Sequence, residues 1–154
     1  MNAHAGTPQS LGALGGRSTA EVSLRLPADG AAFVLILRTA AAGLAARLDF
    51  PLDDIEDIRT AVDEASSMLL PQAVPGSQLA CDFRLEADAL TVTLEAQSAD
   101  PHEPDRDSFS WQVLSALTAE VNASTDADCV RLMLTARSST AGGAGGPVSL
   151  VTES

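Results

Sequence analysis

The residues with the most chemical promise lie in the stretch Leu52 to Leu70, LDDIEDIRTAVDEASSMLL. Ile55, Ile58, Val62, Ala65 and Leu69 recur at helical spacing and form one apolar stripe. Glu64 then falls about 100° from Ala65 on the wheel, at the edge of that stripe. A functional carboxylate there would face a pocket, and the position is equally that of an ordinary boundary glutamate. Asp100, His102, Glu103, Asp105 and Asp107 crowd the stretch QSADPHEPDRD, whose two prolines and five charges read as a solvated loop. Metal chemistry has little to build on, because His4 and His102 are far apart and Cys81 and Cys129 lack ligand spacing. No nucleophile-elbow or Cys-His pattern points to covalent catalysis, and no glycine-rich phosphate loop is present. Arg38 is a lone cation in the apolar run FVLILRTAAAG, so its head should reach solvent or a partner carboxylate.

Alternation and periodicity define the elements that must position these groups. Val22, Leu24 and Leu26 alternate with Ser23 and Arg25, the pattern of a half-buried strand. Pro27 and Asp29 then open a helix over about Gly30 to Leu48, with Phe33, Leu37, Ala41, Leu44 and Leu48 on its apolar side. Gly43 inside that helix costs up to about 1 kcal/mol relative to Ala and suggests close packing, such as against a second subunit. Acids in its first turns and Pro71 at its end bound the Leu52 helix. Leu79, Cys81, Phe83 and Leu85, then Leu90, Val92, Leu94 and Ala96, read as an antiparallel hairpin. A third helix is capped by Asp107 or Ser108 and carries Val113, Leu114, Leu117 and Val121 on its narrow apolar face. Val130, Leu132, Leu134 and Ala136 read as the last strand. The order β-α-α-β-β-α-β predicts an α+β two-layer sandwich over residues 19–137, flanked by mobile tails at 1–18 and 138–154.

Composition narrows the function classes. Of 154 residues 45% are hydrophobic, enough for a core without disulfides or metal, and the two cysteines are expected to be reduced and structural. Aromatics are 3% and the net charge is −12, so stacking on single strands and attraction to phosphate or anionic lipid are both disfavoured. A partner with a basic surface fits better. The longest apolar run, Ala31 to Leu37, has seven residues, far short of the roughly 20 that span a bilayer. With no secretory signal read at the N-terminus, a cytoplasmic location is expected.

The element order, the helix DIEDIRTAVDEASSMLL with its VDE step, and the helix SFSWQVLSALTAEV together resemble the anti-sigma-factor serine kinases of the SpoIIAB/RsbW type. These are small members of the GHKL ATPase superfamily, and the likeness is to the actinobacterial, UsfX-like branch. The resemblance spans about Glu21 to Arg137 and implies a Bergerat-type ATP pocket made of three boxes. In the first, Glu64 matches the family's general base, while Met68 replaces the asparagine that holds Mg²⁺; a thioether is a poor ligand for a hard cation. In the second, Ala96, Ser98 and Asp100 stand where the family has an adenine-reading aspartate and two glycines. In the third, Ser108, Phe109 and Ser110 replace a G-x-G, leaving two hydroxyls at a helix N-terminus for weak anion binding. All three boxes depart, so Mg-ATP chemistry is not expected, and Glu64 is at most a vestigial base.

What the resemblance implies is an anti-sigma factor. It would sequester an alternative, stress- or development-type sigma factor and be antagonised by a STAS-domain anti-anti-sigma factor. Arg38 falls at a first-helix arginine that the family uses with both partners, and a homodimer through the first strand and helix is implied as well. The alternative is an active ATP-dependent serine kinase that phosphorylates the anti-anti-sigma factor, with Glu64 as base.

Overall fold

The computed structural model describes residues 19–140. The expected tail 1–18 with His4, and residues 141–154, lie outside the described residues. Strand β1 (Ala20–Pro27) turns Val22, Leu24 and Leu26 inward. Gly30 follows at φ 139°, a conformation that only glycine adopts without strain. A single 3₁₀ turn, Ala31–Phe33, then leads into α1 (Val34–Arg47). Its buried side is Val34, Leu37, Ala41 and Ala45, so the stripe read through Phe33 is rotated. Phe33 precedes the helix and is exposed, and Leu44 and Leu48 are half-buried.

The end of α1 is fixed by hydrogen bonds rather than by glycine. Asp49 sits at φ 62°, its N–H donates to the Ala46 carbonyl, and the Phe50 N–H donates to the Ala45 carbonyl. This is a Schellman ending with an aspartate in the left-handed position, which its short polar side chain tolerates. Phe50 closes it by burying its ring. Pro51 caps α2 (Leu52–Leu69), and Asp53 and Asp54 occupy its first turn as the macrodipole favours. The predicted stripe is observed: Ile58, Val62, Ala65 and Leu69 are buried and Ile55 packs at its margin. A 3₁₀ turn, Leu70–Gln72, ends the segment at Pro71.

Strands β2 (Gln78–Leu85) and β3 (Ala89–Gln97) form the expected hairpin, with Phe83 opposite Val92 and Cys81 opposite Leu94. Helix α3 (Phe109–Leu117) is shorter than its apolar periodicity suggested. Thr118 is already extended, the Ala119 N–H donates to the Thr135 carbonyl, and Val121 belongs to a strand, β4 (Glu120–Asp126), that pairs with β5 (Cys129–Arg137). The order is therefore β-α-α-β-β-α-β-β. Val121 satisfies both periods: it lies four residues after Leu117, and it alternates with exposed Glu120 and Asn122. Pairing with β5 decides between them.

The five strands make one antiparallel sheet in the order β1-β2-β3-β5-β4. The three helices cover one face, so the molecule has two layers. Leu79, Cys81, Phe83, Leu90, Leu94, Leu132 and Leu134 point into the space between them. The opposite face carries Ser23, Arg25, Asp82, Thr91, Glu95, Arg131 and Thr135 and is open. There the Ser23 hydroxyl donates to Asp82 at 2.6 Å, and Glu95 lies opposite Arg131 in the register. Among the described residues no helix is long and apolar enough to cross a membrane.

Candidate functional site

Glu64 and Arg38 both belong to the helix layer, on the neighbouring helices α2 and α1. Glu64 is half-buried at the edge of the α2 stripe. Its neighbour in sequence, Asp63, takes the role of partner: its Oδ1 lies 3.9 Å from Arg38 Nη1, with the two side chains 47% and 33% exposed. That separation is beyond hydrogen-bonding distance, so the pair is held by charge alone. Arg38 Nε is buried and donates to nothing within reach. Asp63 could not be singled out beforehand, because acids at 53, 54, 56, 57, 63 and 64 are equivalent until the facing helix is placed.

Met68, at the position where the resemblance implies a metal-holding asparagine, is half-buried and packs against the hydrophobic core. The space between α2 and the sheet, lined by Ile58, Val62, Val92, Leu134 and Ala136, amounts to ≈ 10 Å³. Ser98 is buried: its N–H donates to the Asp128 carbonyl, and its hydroxyl accepts from the Asp100 N–H at 3.2 Å. Both interactions serve the exit from β3. Ser108 is the N-cap of α3. Its Oγ accepts from the Trp111 N–H at 3.2 Å and donates to the Asp105 carbonyl at 2.7 Å, so the hydroxyl is engaged by the fold. Ser110 is half-buried in the first turn, and Phe109 between them is 80% exposed.

The acidic segment between β3 and α3 is tied down at both ends. The Gln72 side chain donates to the His102 carbonyl at 3.0 Å and accepts from the His102 N–H at 3.1 Å, as a neighbouring strand would. Farther on, Arg106 pairs with Glu103 at 3.1 Å and lies 4.7 Å above the Trp111 ring. Gln72 and Trp111 were not singled out in the sequence; an amide that mimics a strand leaves no local pattern. Among the described residues no group of three or more His, Cys, Asp or Glu is placed to hold a metal.

Both cysteines are free thiols. Burial, helped by the charge of Asp82, pushes Cys81 up to about 12. Cys129 opens β5 on the open face and is only half-buried, so it is less enclosed than a purely structural residue. Burial and the Glu95 carboxylate push its thiol up to about 11. Glu95 also hydrogen-bonds Arg131, whose Nε donates to Oε2 at 2.8 Å, and this raises Arg131 further. A hollow of ≈ 480 Å³ lies beside these groups, lined by Arg25, Gln78, Glu95, Asp128 and Cys129. It is on the sheet face opposite the helices, away from Glu64 and Arg38.

No protein-family model matches the chain. It is 33% identical over 92 residues to an anti-sigma-F factor RsbW of Mycobacterium tuberculosis, a match covering 59% of this chain and 54% of that protein. It is 34% identical over 74 residues to a serine-protein kinase RsbW of Bacillus cereus, covering 47% and 46%. The chain thus spans about half the length of the curated relatives it matches. In fold it is similar to a crystal structure of the RsbU and RsbW domains of a Mycobacterium tuberculosis protein. That likeness has a TM-score of 0.63 at 20% identity and covers 86% of this chain and 35% of that one. The resemblance to the SpoIIAB/RsbW type is therefore supported by relatives carrying that name and by an α+β fold shared with such a structure.

Proposed function

We propose that this chain, similar in sequence to RsbW proteins and in fold to a structure containing an RsbW domain, is an anti-sigma factor that works by sequestration. It holds an alternative sigma factor of the stress or development kind and releases it when a STAS-domain anti-anti-sigma factor occupies the same surface. Occupancy is mutually exclusive, so the exchange is set by the relative affinities and concentrations of the two partners. The domain is read as GHKL-like, working in the cytoplasm as a homodimer through β1 and α1. Exposed Leu35 and Ile36 on α1 and the edge position of β1 support that pairing.

Packing of Met68 into the core carries the choice of sequestration over catalysis. The residues at the family's nucleotide positions do not fit Mg-ATP. The metal position holds a thioether turned to apolar neighbours, and the Ser108 hydroxyl caps its own helix. The competing reading, a serine kinase with Glu64 as base, is favoured by the name of the Bacillus relative and by the half-buried Glu64 carboxylate.

Two measurements separate these readings. Co-purification from the native extract, with partners identified by mass spectrometry, is expected to yield a sigma subunit; its absence removes the proposal. Calorimetric titration with Mg-ATP is expected to give no heat of binding at cellular nucleotide concentrations. Binding, with phosphate transferred to the anti-anti-sigma factor, would establish the kinase instead.

A further inference from the structure

We infer that the hollow on the open sheet face is a binding site for a short zwitterionic peptide, a dipeptide with both ends free. It lies away from Glu64 and Arg38, so it goes beyond the sequestration proposed above and does not depend on it. The strand register explains why a hollow forms there. Arg25, Ala80, Glu95 and Arg131 stand side by side across β1, β2, β3 and β5, on the face turned away from the helices. Three long side chains frame one methyl group, and the gap above Ala80 opens into the ≈ 480 Å³ space. Ligand pockets commonly occupy about 300–1,000 Å³. The two sides of the hollow differ in charge. Arg25 is exposed, and among the described residues no carboxylate pairs with it. Glu95, the carboxylate in its row, is taken by Arg131 instead. The Arg25 guanidinium is therefore free to take a carboxylate from outside the chain through paired N–H groups. On the other side Asp126 and Asp128 adjoin the Glu95–Arg131 pair and leave that wall negative, and exposed Asp128 lines the hollow. Arg25 and Asp128 are three strands apart in the sheet order, about 14 Å at roughly 4.8 Å per strand. Side chains stand nearly upright on a sheet. After a hydrogen bond of about 3 Å at each end, roughly 8 Å is left for the ligand. A single amino acid holds its two charges about 3 Å apart, whereas two extended residues span about 7 Å. The fitting occupant is thus a dipeptide, its carboxylate on Arg25 and its ammonium on Asp128. Both anchors are exposed to solvent, so millimolar affinity is expected.

The test uses the full chain and L-alanyl-L-alanine as the probe. Titration followed by backbone-amide NMR is expected to give saturable shifts at Ala80, Gln97 and Cys129 in the millimolar range. Saturating dipeptide is also expected to slow labelling of the Cys129 thiol, which lines the hollow, severalfold. N-acetyl-alanyl-alanine lacks the ammonium and alanyl-alanine amide lacks the carboxylate. Each is expected to bind about three- to fivefold more weakly, the range set by losing one exposed ion pair. Arg25→Gln is expected to weaken the dipeptide by the same factor and to erase the difference between the free acid and its amide. Arg84→Gln removes an arginine of the same face outside the hollow and is the control, expected to leave binding unchanged. Ala80→Leu fills the gap and is expected to abolish the shifts, with circular dichroism unchanged. Equal binding of the dipeptide and its two capped forms overturns the charge assignment, and so does an acid–amide difference that persists in Arg25→Gln. Shifts that survive Ala80→Leu put the ligand elsewhere and overturn the site. Absence of saturable shifts from the dipeptide in the parent chain removes it altogether. No partner protein enters the experiment, so its result is independent of whether the chain captures a sigma subunit.

Discussion

Arg38 shows how far single residues can be read. Its place in an apolar run announced that its charge had to be met, and the sequence left solvent and a partner carboxylate open. The structure adds Asp63, which only the packing of α1 on α2 could supply. Arg38→Ala is expected to weaken capture of one or both partners with the fold unchanged. Pull-downs scored beside circular dichroism check this, and equal capture would return the residue to a solubilising role. The two cysteines make a second prediction at this scale. Cys81 is fully buried and Cys129 is not, so a thiol reagent at pH 8 is expected to label Cys129 alone in the native chain. The Cys81 thiol titrates at about 12, above its ordinary 9.0. The folded state therefore favours the protonated form. That contribution is complete below the ordinary value and is lost as pH rises through it toward 12. Chemical denaturation between pH 8 and 11 is expected to show a steeper loss for the parent chain than for Cys81→Ala.

Elements with a single unambiguous period were legible: β1, the β2–β3 hairpin and α2 lie where alternation and the three-four spacing put them. The miss at Val121 came from a segment that obeys both periods, in which a long-range pairing outweighs local preference. The side-chain contacts at the candidate site positions were not legible. Nothing in the sequence says that Ser108 spends its hydroxyl on Trp111 and Asp105, or that Gln72 grips His102 across 30 residues. Ser108→Ala removes the cap of α3 and is expected to cost about 1 kcal/mol, read as a fall of about 4 °C in Tm. Gln72→Ala removes both clasping bonds and is expected to speed tryptic cleavage after Arg106 severalfold, with little change in global stability.

For the whole molecule, the two-layer plan was readable because three amphipathic or apolar helices and alternating strands have few other ways to bury their apolar sides. The direction in which α1 packs was not, since α1 is apolar on nearly every side and periodicity then gives no direction. Leu132, on the inner strand β5, and Leu114 on α3 are both fully buried. Replacing either with Ala is expected to cost about 2–5 kcal/mol in urea unfolding. Multi-angle light scattering at micromolar concentration is expected to give the mass of a dimer, and a monomer would remove the pairing through β1 and α1. Beyond β5 the chain continues in place: the Ser138 N–H donates to the Asp88 carbonyl and the Ser139 N–H to Asp54 at 2.7 Å, tying this segment to the start of α2.

The Arg106 guanidinium rests above the only tryptophan in the chain. Because no second indole contributes, all tryptophan fluorescence comes from the place where the β3–α3 segment meets its helix. Lifting the cation away would alter the electric field and the wetness around the ring, and with them the colour of the emitted light. The molecule thus carries its own optical gauge for that segment, readable without an attached dye.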